Sequence, residues 1–147
     1  MGFESALAVT LKFEGGYANH PADPGGATMK GITQRVYDAW LLKRGLPACD
    51  VRDIPDKDVA DIYRAEYWQR AKCDVLPDPL ATFHFDAAVN HGPARANIFL
   101  GQSGGDPKKY LDIREKFFRD LVIKRSAMVV FLRGWLKRVD KLREMLA

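Results

Sequence analysis

A helix that is apolar on most of its sides is predicted for Leu80–His91, and this segment constrains the fold more than any other. The preceding Asp78-Pro79 pair can provide an N-cap and a first helical residue, and Gly92 can end the helix. A helix of this kind is expected to be buried at the centre of a domain. Because the chain has 147 residues, of which 47% are hydrophobic, it is long enough to build one core around such a helix.

The rest of the sequence is typical of helices joined by turns. Thr33 can cap the N-terminus of a helix that extends to Lys43, with Ile32 and Tyr37 positioned as a hydrophobic staple. No run alternates convincingly enough for a long strand, although residues 17–33 can form a small β-hairpin at a cleft. The sequence therefore predicts one mainly α-helical, two-lobed domain over residues 1–147. Further helix boundaries are expected at Pro55-Asp56, Pro93, Leu100 and Asp106-Pro107, with a bend or break at Gly134.

The two candidate catalytic carboxylates are Glu14, at the end of the first predicted helix, and Asp23, nine residues later. Glu14 continues the core-facing stripe that includes Thr10, and Gly15 can end the helix directly after it. Partial burial and the negative end of the helix dipole both favour a protonated Glu14, as a glycosidase proton donor requires. Asp23 lies in a wetter loop between proline and glycine residues, where it is expected to stay ionised. The alternative is that Glu14 merely ends a helix and Asp23 forms an Asx-turn.

The run from Glu14 to Thr33, EGGYANHPADPGGATMKGIT, resembles the signature of the glycoside hydrolase family 108 N-acetylmuramidases, which are phage endolysins and related bacterial lysozymes. The similarity continues through residues 62–68 and 85–93 and, less clearly, 134–139. This resemblance implies a lysozyme-like fold with Glu14 as the catalytic acid, and the order of Glu14, Asp23 and Thr28 also resembles phage-type lysozymes. The family's peptidoglycan-binding C-terminal region looks abbreviated here, in residues 101–147.

The predicted reaction is hydrolysis of the β-1,4 bond between N-acetylmuramic acid and N-acetylglucosamine in peptidoglycan. Glu14 would protonate the glycosidic oxygen, while Asp23 positions a water or stabilises the oxocarbenium-like state and Thr28 helps to hold the water. Either an inverting or a retaining course is compatible with the sequence. Candidate substrate-binding residues are Tyr17, Trp68, Asn90 and His91, each of which can instead be structural, and Glu66 is a reserve carboxylate.

Three other functions remain open from the sequence. A lytic transglycosylase would use Glu14 alone and leave 1,6-anhydro ends. A zinc amidase or peptidase would use His20, Asp23, His84 and His91, although their spacing matches no recognised zinc pattern. A non-enzymatic protein could bind the wall or disrupt membranes through basic helices. We expect neither a metal nor an organic cofactor.

Charge is divided unevenly along the chain. Residues 1–107 carry 11 Lys and Arg against 14 Asp and Glu, and residues 108–147 carry 12 against 5, so their formal charges are −3 and +7. The expected partner is the peptidoglycan glycan strand, with secondary electrostatic contact between the C-terminal helices and the anionic envelope. We expect no specific nucleic-acid partner, and a monomer.

The expected place of action is the bacterial envelope. No run reaches the roughly 18 apolar residues of a membrane span, and residues 6–13 do not form a cleavable signal. Synthesis in the host cytoplasm, followed by holin-type release to the periplasm, is what the resemblance implies. Cys49 and Cys73 are expected to be free thiols, although a single bridge after release is also possible.

Overall fold

The computed structural model describes residues 2–19 and 26–146 of the chain, and in these residues it contains seven α-helices and one small antiparallel sheet. The predicted mainly α-helical architecture is therefore confirmed. The strands are β1 (Tyr17–Ala18), β2 (Thr28–Met29) and β3 (Ile32–Thr33). The helices are α1 (Phe3–Glu14), α2 (Gln34–Lys43), α3 (Asp56–Tyr63), α4 (Leu80–His91), α5 (Pro93–Ser103), α6 (Pro107–Lys124) and α7 (Val129–Arg143).

Helix α4 is the buried centre of the molecule, as its apolar sequence predicts. Every residue from Leu80 to Ala88 is buried, and the helix packs against α1, α5 and α6. Phe85 of α4 lies in an aromatic cluster, with ring centroids 5.7 Å from Phe3 and 5.6 Å from Trp68. Burial of this helix on all sides explains why polar residues within it need partners from the surrounding helices.

The short strands form one sheet in the order β1-β2-β3, next to the end of α1. The predicted hairpin is confirmed and gains a third strand. Met29 pairs with Ile32, so Lys30 and Gly31 form a two-residue turn with φ values of 51° and 82°. Positive φ at both positions matches the type I′ turn, whose twist suits a tight hairpin.

Two helix starts follow the predicted capping signals. Thr33 Oγ1 accepts a hydrogen bond of 3.1 Å from the Val36 amide at the start of α2. At the start of α6, Asp106 Oδ1 accepts one of 3.1 Å from the Lys109 amide. These side chains satisfy backbone donors that have no partner within the helix, which is why both boundaries were readable from local sequence.

Three boundary predictions are corrected. Helix α4 begins at Leu80 and its N-cap residue is Pro79, so Asp78 does not cap the helix. Helix α5 continues to Ser103, beyond the expected end at Leu100. Helix α7 passes through Gly134 without interruption, because Trp135 next to it stacks on Phe118 of α6 at 4.7 Å and holds the helix in place.

Helix α3 passes directly into a π-helical segment, Arg64–Gln69. Such segments are rare and often occur near functional sites.

The structure also bears on the cysteines and on membrane-spanning helices. Cys49 and Cys73 are both free thiols. None of the helices in the described part of the chain has the length and apolar character needed to cross a membrane.

Candidate active site

Glu14 is the last residue of α1 and lies between the small sheet and the C-terminal helix. Gly15, with φ of 69°, turns the chain sharply away from α1 toward β1. The Glu14 side chain is 19% exposed, and its Oε1 accepts a hydrogen bond of 3.0 Å from Arg138 Nη1. The carboxyl group is thus partly buried, fixed through one oxygen, and still open to solvent.

Arg138 connects Glu14 to a buried carboxylate on the central helix. Its Nε and Nη2 atoms donate to the two oxygens of Asp86 at 3.0 and 2.8 Å. Asp86 also accepts from Arg114 Nη1 at 2.9 Å and from Thr10 Oγ1 at 2.7 Å. A bidentate pair fixes the plane of the guanidinium, so the third contact to Glu14 is directed as well. We call Thr10, Asp86, Arg114 and Arg138 the Asp86 network.

Attraction between opposite charges sets the ionisation states within this buried network. Burial alone would raise the pKa of Asp86, but the guanidinium groups of Arg138 and Arg114 lower it to about 2. Burial lowers the pKa of Arg114, whereas for Arg138 the attraction of Asp86 and Glu14 outweighs burial and the pKa is raised. Asp86 is therefore a permanent anion between two cations, and it is unavailable as a base for catalysis.

The turn between β2 and β3 lies against the other oxygen of Glu14. A Cβ atom added to Gly31 would lie 2.8 Å from Glu14 Oε2 and 2.5 Å from Tyr63 Oη, so a larger residue fits only if Glu14 or Tyr63 shifts. Tyr63 Oη donates to the Lys30 carbonyl at 2.5 Å, and Lys30 Nζ bonds Asp56 Oδ1 at 2.5 Å. Helix α3 thereby holds the turn beside the carboxyl group of Glu14.

Tyr63 remains a neutral hydrogen-bond donor in this position. Burial and then the nearby charge of Glu14 raise the pKa of Tyr63 far above its usual range. A neutral hydroxyl can donate to the Lys30 carbonyl over the whole physiological pH range. The contact that places the turn is therefore independent of pH there.

Substituting Gly31 by alanine tests whether this close approach matters. We expect Gly31→Ala to lower activity at least tenfold, because the new methyl group displaces Glu14 or Tyr63, and small misplacements of reacting groups are costly. The matched control is Gly105→Ala, since Gly105 has a similar φ of 85° but nothing within 4 Å of an added Cβ. Both variants should lose about 1 kcal/mol of stability from backbone strain. Equal activity of the two variants would contradict the proposed role of the turn.

Of the two other predicted catalytic residues, Thr28 and Asp23, the structure describes Thr28. Thr28 is partly buried on β2, where it pairs with Ala18 and Thr33, two residues before the turn that contacts Glu14. Asp23 lies outside the described residues, as does His20. Tyr17 on β1 is 37% exposed, and the Arg52 guanidinium lies 4.3 Å from the centre of its ring.

Asn90 and His91 lie at the end of α4, where both contact Arg114. Arg114 donates from Nη2 to Asn90 Oδ1 at 3.0 Å and from Nε to His91 Nε2 at 3.2 Å. Burial, and then the positive charge of Arg114, lowers the pKa of His91 to about 2, so its ring is neutral. The ring packs beside Phe99 and Phe118 at 5.0 and 4.8 Å. Both residues thus support the Asp86 network.

Trp68 and Glu66 both lie on the π-helical segment, in different surroundings. Trp68 is 3% exposed, and its Nε1 donates to Asp74 Oδ1 at 2.6 Å. This burial leaves the ring no face for a sugar, and we leave Trp68 out of the proposed site. Glu66 is partly buried, and its Oε2 pairs with Arg70 at 2.9 Å.

The described histidine candidates for a zinc site make other hydrogen bonds. His84 is fully buried, with Nε2 3.0 Å from the Ala71 carbonyl and Nδ1 2.8 Å from the Tyr110 hydroxyl. The carbonyl can only accept, so Nε2 carries the proton. Within residues 2–19 and 26–146, there is no group of three or more His, Cys, Asp or Glu side chains that could hold a metal ion.

Sequence reasoning missed Asp86, Arg138 and Tyr63 as site residues. Asp86 did leave a signal, because a lone carboxylate in a buried apolar helix has to be paired. Arg138 left none locally, because it lies 124 residues from Glu14 in the chain. The ring of Tyr63 is buried in the core while its hydroxyl reaches the turn, and this second contact is not visible in the sequence.

The chain is similar to known proteins in both sequence and fold. The sequence model of the Glycosyl hydrolase 108 family matches residues 7–92, which include Glu14 and Asp86 but end before Arg138. Among solved structures, the chain is similar to the structure of Brucella abortus SagA, with 31% sequence identity and a TM-score of 0.69 over 97% of this chain and 91% of that chain. Comparison with curated protein sequences gives no match.

Proposed function

Because the chain belongs to the Glycosyl hydrolase 108 family, we propose that it is an N-acetylmuramidase with Glu14 as its general acid. The substrate would be the β-1,4 bond between N-acetylmuramic acid and N-acetylglucosamine. Family membership and the likeness to SagA support a peptidoglycan hydrolase. The bond and the proton donor are our proposal.

The environment of Glu14 is the observation that carries this proposal. A general acid needs a carboxyl group that reaches substrate yet is held in one orientation. Glu14 meets both needs, since its side chain is 19% exposed while Arg138 holds one oxygen at 3.0 Å.

Arg138 acts in this mechanism as a positioning residue. When Glu14 gives its proton to the leaving oxygen, a carboxylate forms 3.0 Å from the guanidinium, which stabilises it. Asp86 holds Arg138 through two hydrogen bonds, so the guanidinium keeps its orientation while the charge of Glu14 changes. Such preorganised electrostatic stabilisation needs little rearrangement at the moment of reaction.

We propose Asp23 as the second carboxylate and Thr28 as a residue that helps to hold the attacking water. The support for Thr28 is its place on β2, next to the turn that touches Glu14. The support for Asp23 is its position in the sequence between β1 and β2, together with the family resemblance of the 14–33 run. Tyr17 and Asn90 complete the proposed substrate-binding set, whereas His91 has the structural role that its packing beside Phe99 and Phe118 indicates.

We place this activity in bacteriophage-driven lysis, as an endolysin acting on the wall after holin-type release. This setting is supported by the resemblance of residues 14–33 to phage endolysins. Expression in a bacterial host with and without a coexpressed holin tests it. We expect rapid lysis only with the holin.

Mass spectrometry of fragments released from purified sacculi tests the bond and the product. We expect new reducing N-acetylmuramic acid ends from the wild type, and release about 10²- to 10⁴-fold slower from Glu14→Gln. Products with 1,6-anhydro ends would assign the chain to the lytic transglycosylases instead. Released stem peptides, with activity lost in EDTA, would point to a zinc amidase or peptidase.

A further inference from the structure

Helices α6 and α7 form an antiparallel pair with one free end. Near the start of α6, Asp112 Oδ1 accepts from Arg143 Nη2 of late α7 at 3.0 Å. Farther along α6, Phe118 stacks on Trp135 of α7 at 4.7 Å. The contacts thus run in opposite directions along the two helices. The connection between them, which includes the 3₁₀ turn Ser126–Met128, forms the far end of the pair. We call residues 123–133 the α6–α7 tip.

The tip exposes an unusual amount of apolar side chain. Nine large hydrophobic residues are exposed in the described part of the chain, and four of them lie in this segment. Single exposed apolar residues are normal on protein surfaces, but a cluster marks an interaction site. The four are Ile123, Val129, Val130 and Phe131, with exposed fractions of 81%, 55%, 74% and 53%.

The same end of the pair carries positive charge without acidic neighbours in sequence. Between Asp120 and Asp140 the chain contains no Asp or Glu. Because Arg138 belongs to the Asp86 network, four exposed cations remain available in this stretch. They are Lys124, Arg125, Arg133 and Lys137.

We propose that the α6–α7 tip docks on the surface of an anionic lipid bilayer. Interfacial membrane binding combines apolar side chains that enter the headgroup region with cations that attract acidic lipids, and the tip offers both at one end. A second copy of this chain is a poorer occupant, because joining two tips would bring six like charges together, from Lys124, Arg125 and Arg133 of each copy. A membrane surface offers acidic headgroups to the cations and an apolar region to the hydrophobic side chains.

Cosedimentation with large unilamellar vesicles tests this proposal and needs no glycan substrate. We expect the wild-type protein to bind vesicles of phosphatidylglycerol and phosphatidylethanolamine, and to bind phosphatidylcholine vesicles far more weakly. Binding should fall steeply when salt is raised from 0.05 to 0.5 M, since screening removes the attraction between the cations and the lipid. No binding to the anionic vesicles at low salt would overturn the proposal.

Matched variants separate the tip from general surface effects. Val130→Ser should weaken vesicle binding about tenfold, because one valine no longer enters the bilayer. The control is Val75→Ser, since Val75 is 79% exposed, close to the 74% of Val130, but lies on another part of the chain. Arg125→Gln should weaken binding about fivefold, and the remote Lys57→Gln should have little effect. Equal losses in a variant and its control would overturn the proposal.

A reporter residue checks insertion directly. In Phe131→Trp, fluorescence should shift to shorter wavelength with anionic vesicles and be quenched by brominated lipids. The existing tryptophans are controlled for by the same measurement on the wild type. Unquenched fluorescence in Phe131→Trp would overturn insertion.

Size-exclusion chromatography without lipid tests self-association, and it should show a monomer. A dimer that Val130→Ser converts to a monomer would assign the tip to self-association and overturn the proposal.

Discussion

Replacing Asp86 by alanine is expected to lower the free energy of unfolding by about 3–5 kcal/mol, because it leaves buried cations without their counter-ion. Arg114 is fully buried and Arg138 is 8% exposed, and both donate to the Asp86 carboxylate. Neither guanidinium can release its proton, so the charge stays in the core. Urea unfolding followed by circular dichroism measures the loss.

Asp120→Ala is the matched control for Asp86→Ala. Asp120 also pairs with a cation, Lys116 at 2.7 Å, but its side chain is 47% exposed. We expect a loss below about 1 kcal/mol there, because surface ion pairs contribute little. Similar losses in the two variants would contradict the idea that burial makes the Asp86 network critical.

Acid unfolding gives an independent measure of the same carboxylate. The pKa of Asp86 is lowered from 3.8 to about 2, so its ionisation stabilises the folded state fully above pH 3.8. This contribution disappears as the pH falls from 3.8 to about 2. The stability difference between the wild type and Asp86→Asn should therefore shrink over that interval. A difference that is constant across it would mean that the charge of Asp86 is not what stabilises the fold.

Local sequence signals predicted most of the helices. They failed where packing between distant residues determines whether a helix continues. The caps at Thr33 and Asp106 satisfy donors within three residues, so they are visible in the sequence itself. Gly134 was expected to break α7, since glycine costs about 1 kcal/mol in a helix interior. That cost is outweighed by tertiary contacts such as the stacking of Trp135 on Phe118, which the local sequence does not reveal.

The same distinction applies to the candidate site. Glu14 could be selected because its helix, the following glycines and the family resemblance all lie in one continuous run. Its partner Arg138 could not, since the contact joins the two ends of the chain. Trp68 shows the opposite error, because an aromatic residue chosen for sugar stacking is 3% exposed in the core. Burial depends on how helices pack, and a side chain's type alone does not reveal it.

Replacing Glu14 by glutamine is expected to reduce the rate of peptidoglycan cleavage by about 10²- to 10⁴-fold, the usual contribution of a general acid. Glutamine has nearly the same shape and can still accept the hydrogen bond from Arg138 Nη1 through its amide oxygen. It cannot give a proton to the leaving oxygen. The measurement is the initial rate of release of new reducing ends from purified sacculi, with thermal unfolding recorded for each protein.

Glu66→Gln is the matched control, because it makes the same chemical change at another partly buried glutamate, one that pairs with Arg70 at 2.9 Å. We expect it to keep nearly full activity, since this ion pair joins neighbouring turns of one helical segment and its loss costs only a few tenths of a kcal/mol. An inactive Glu66→Gln beside an active Glu14→Gln would transfer the acid role to the reserve carboxylate. A folded Glu14→Gln with wild-type rate would remove Glu14 from the mechanism, and with it the role of Arg138 in holding the proton donor.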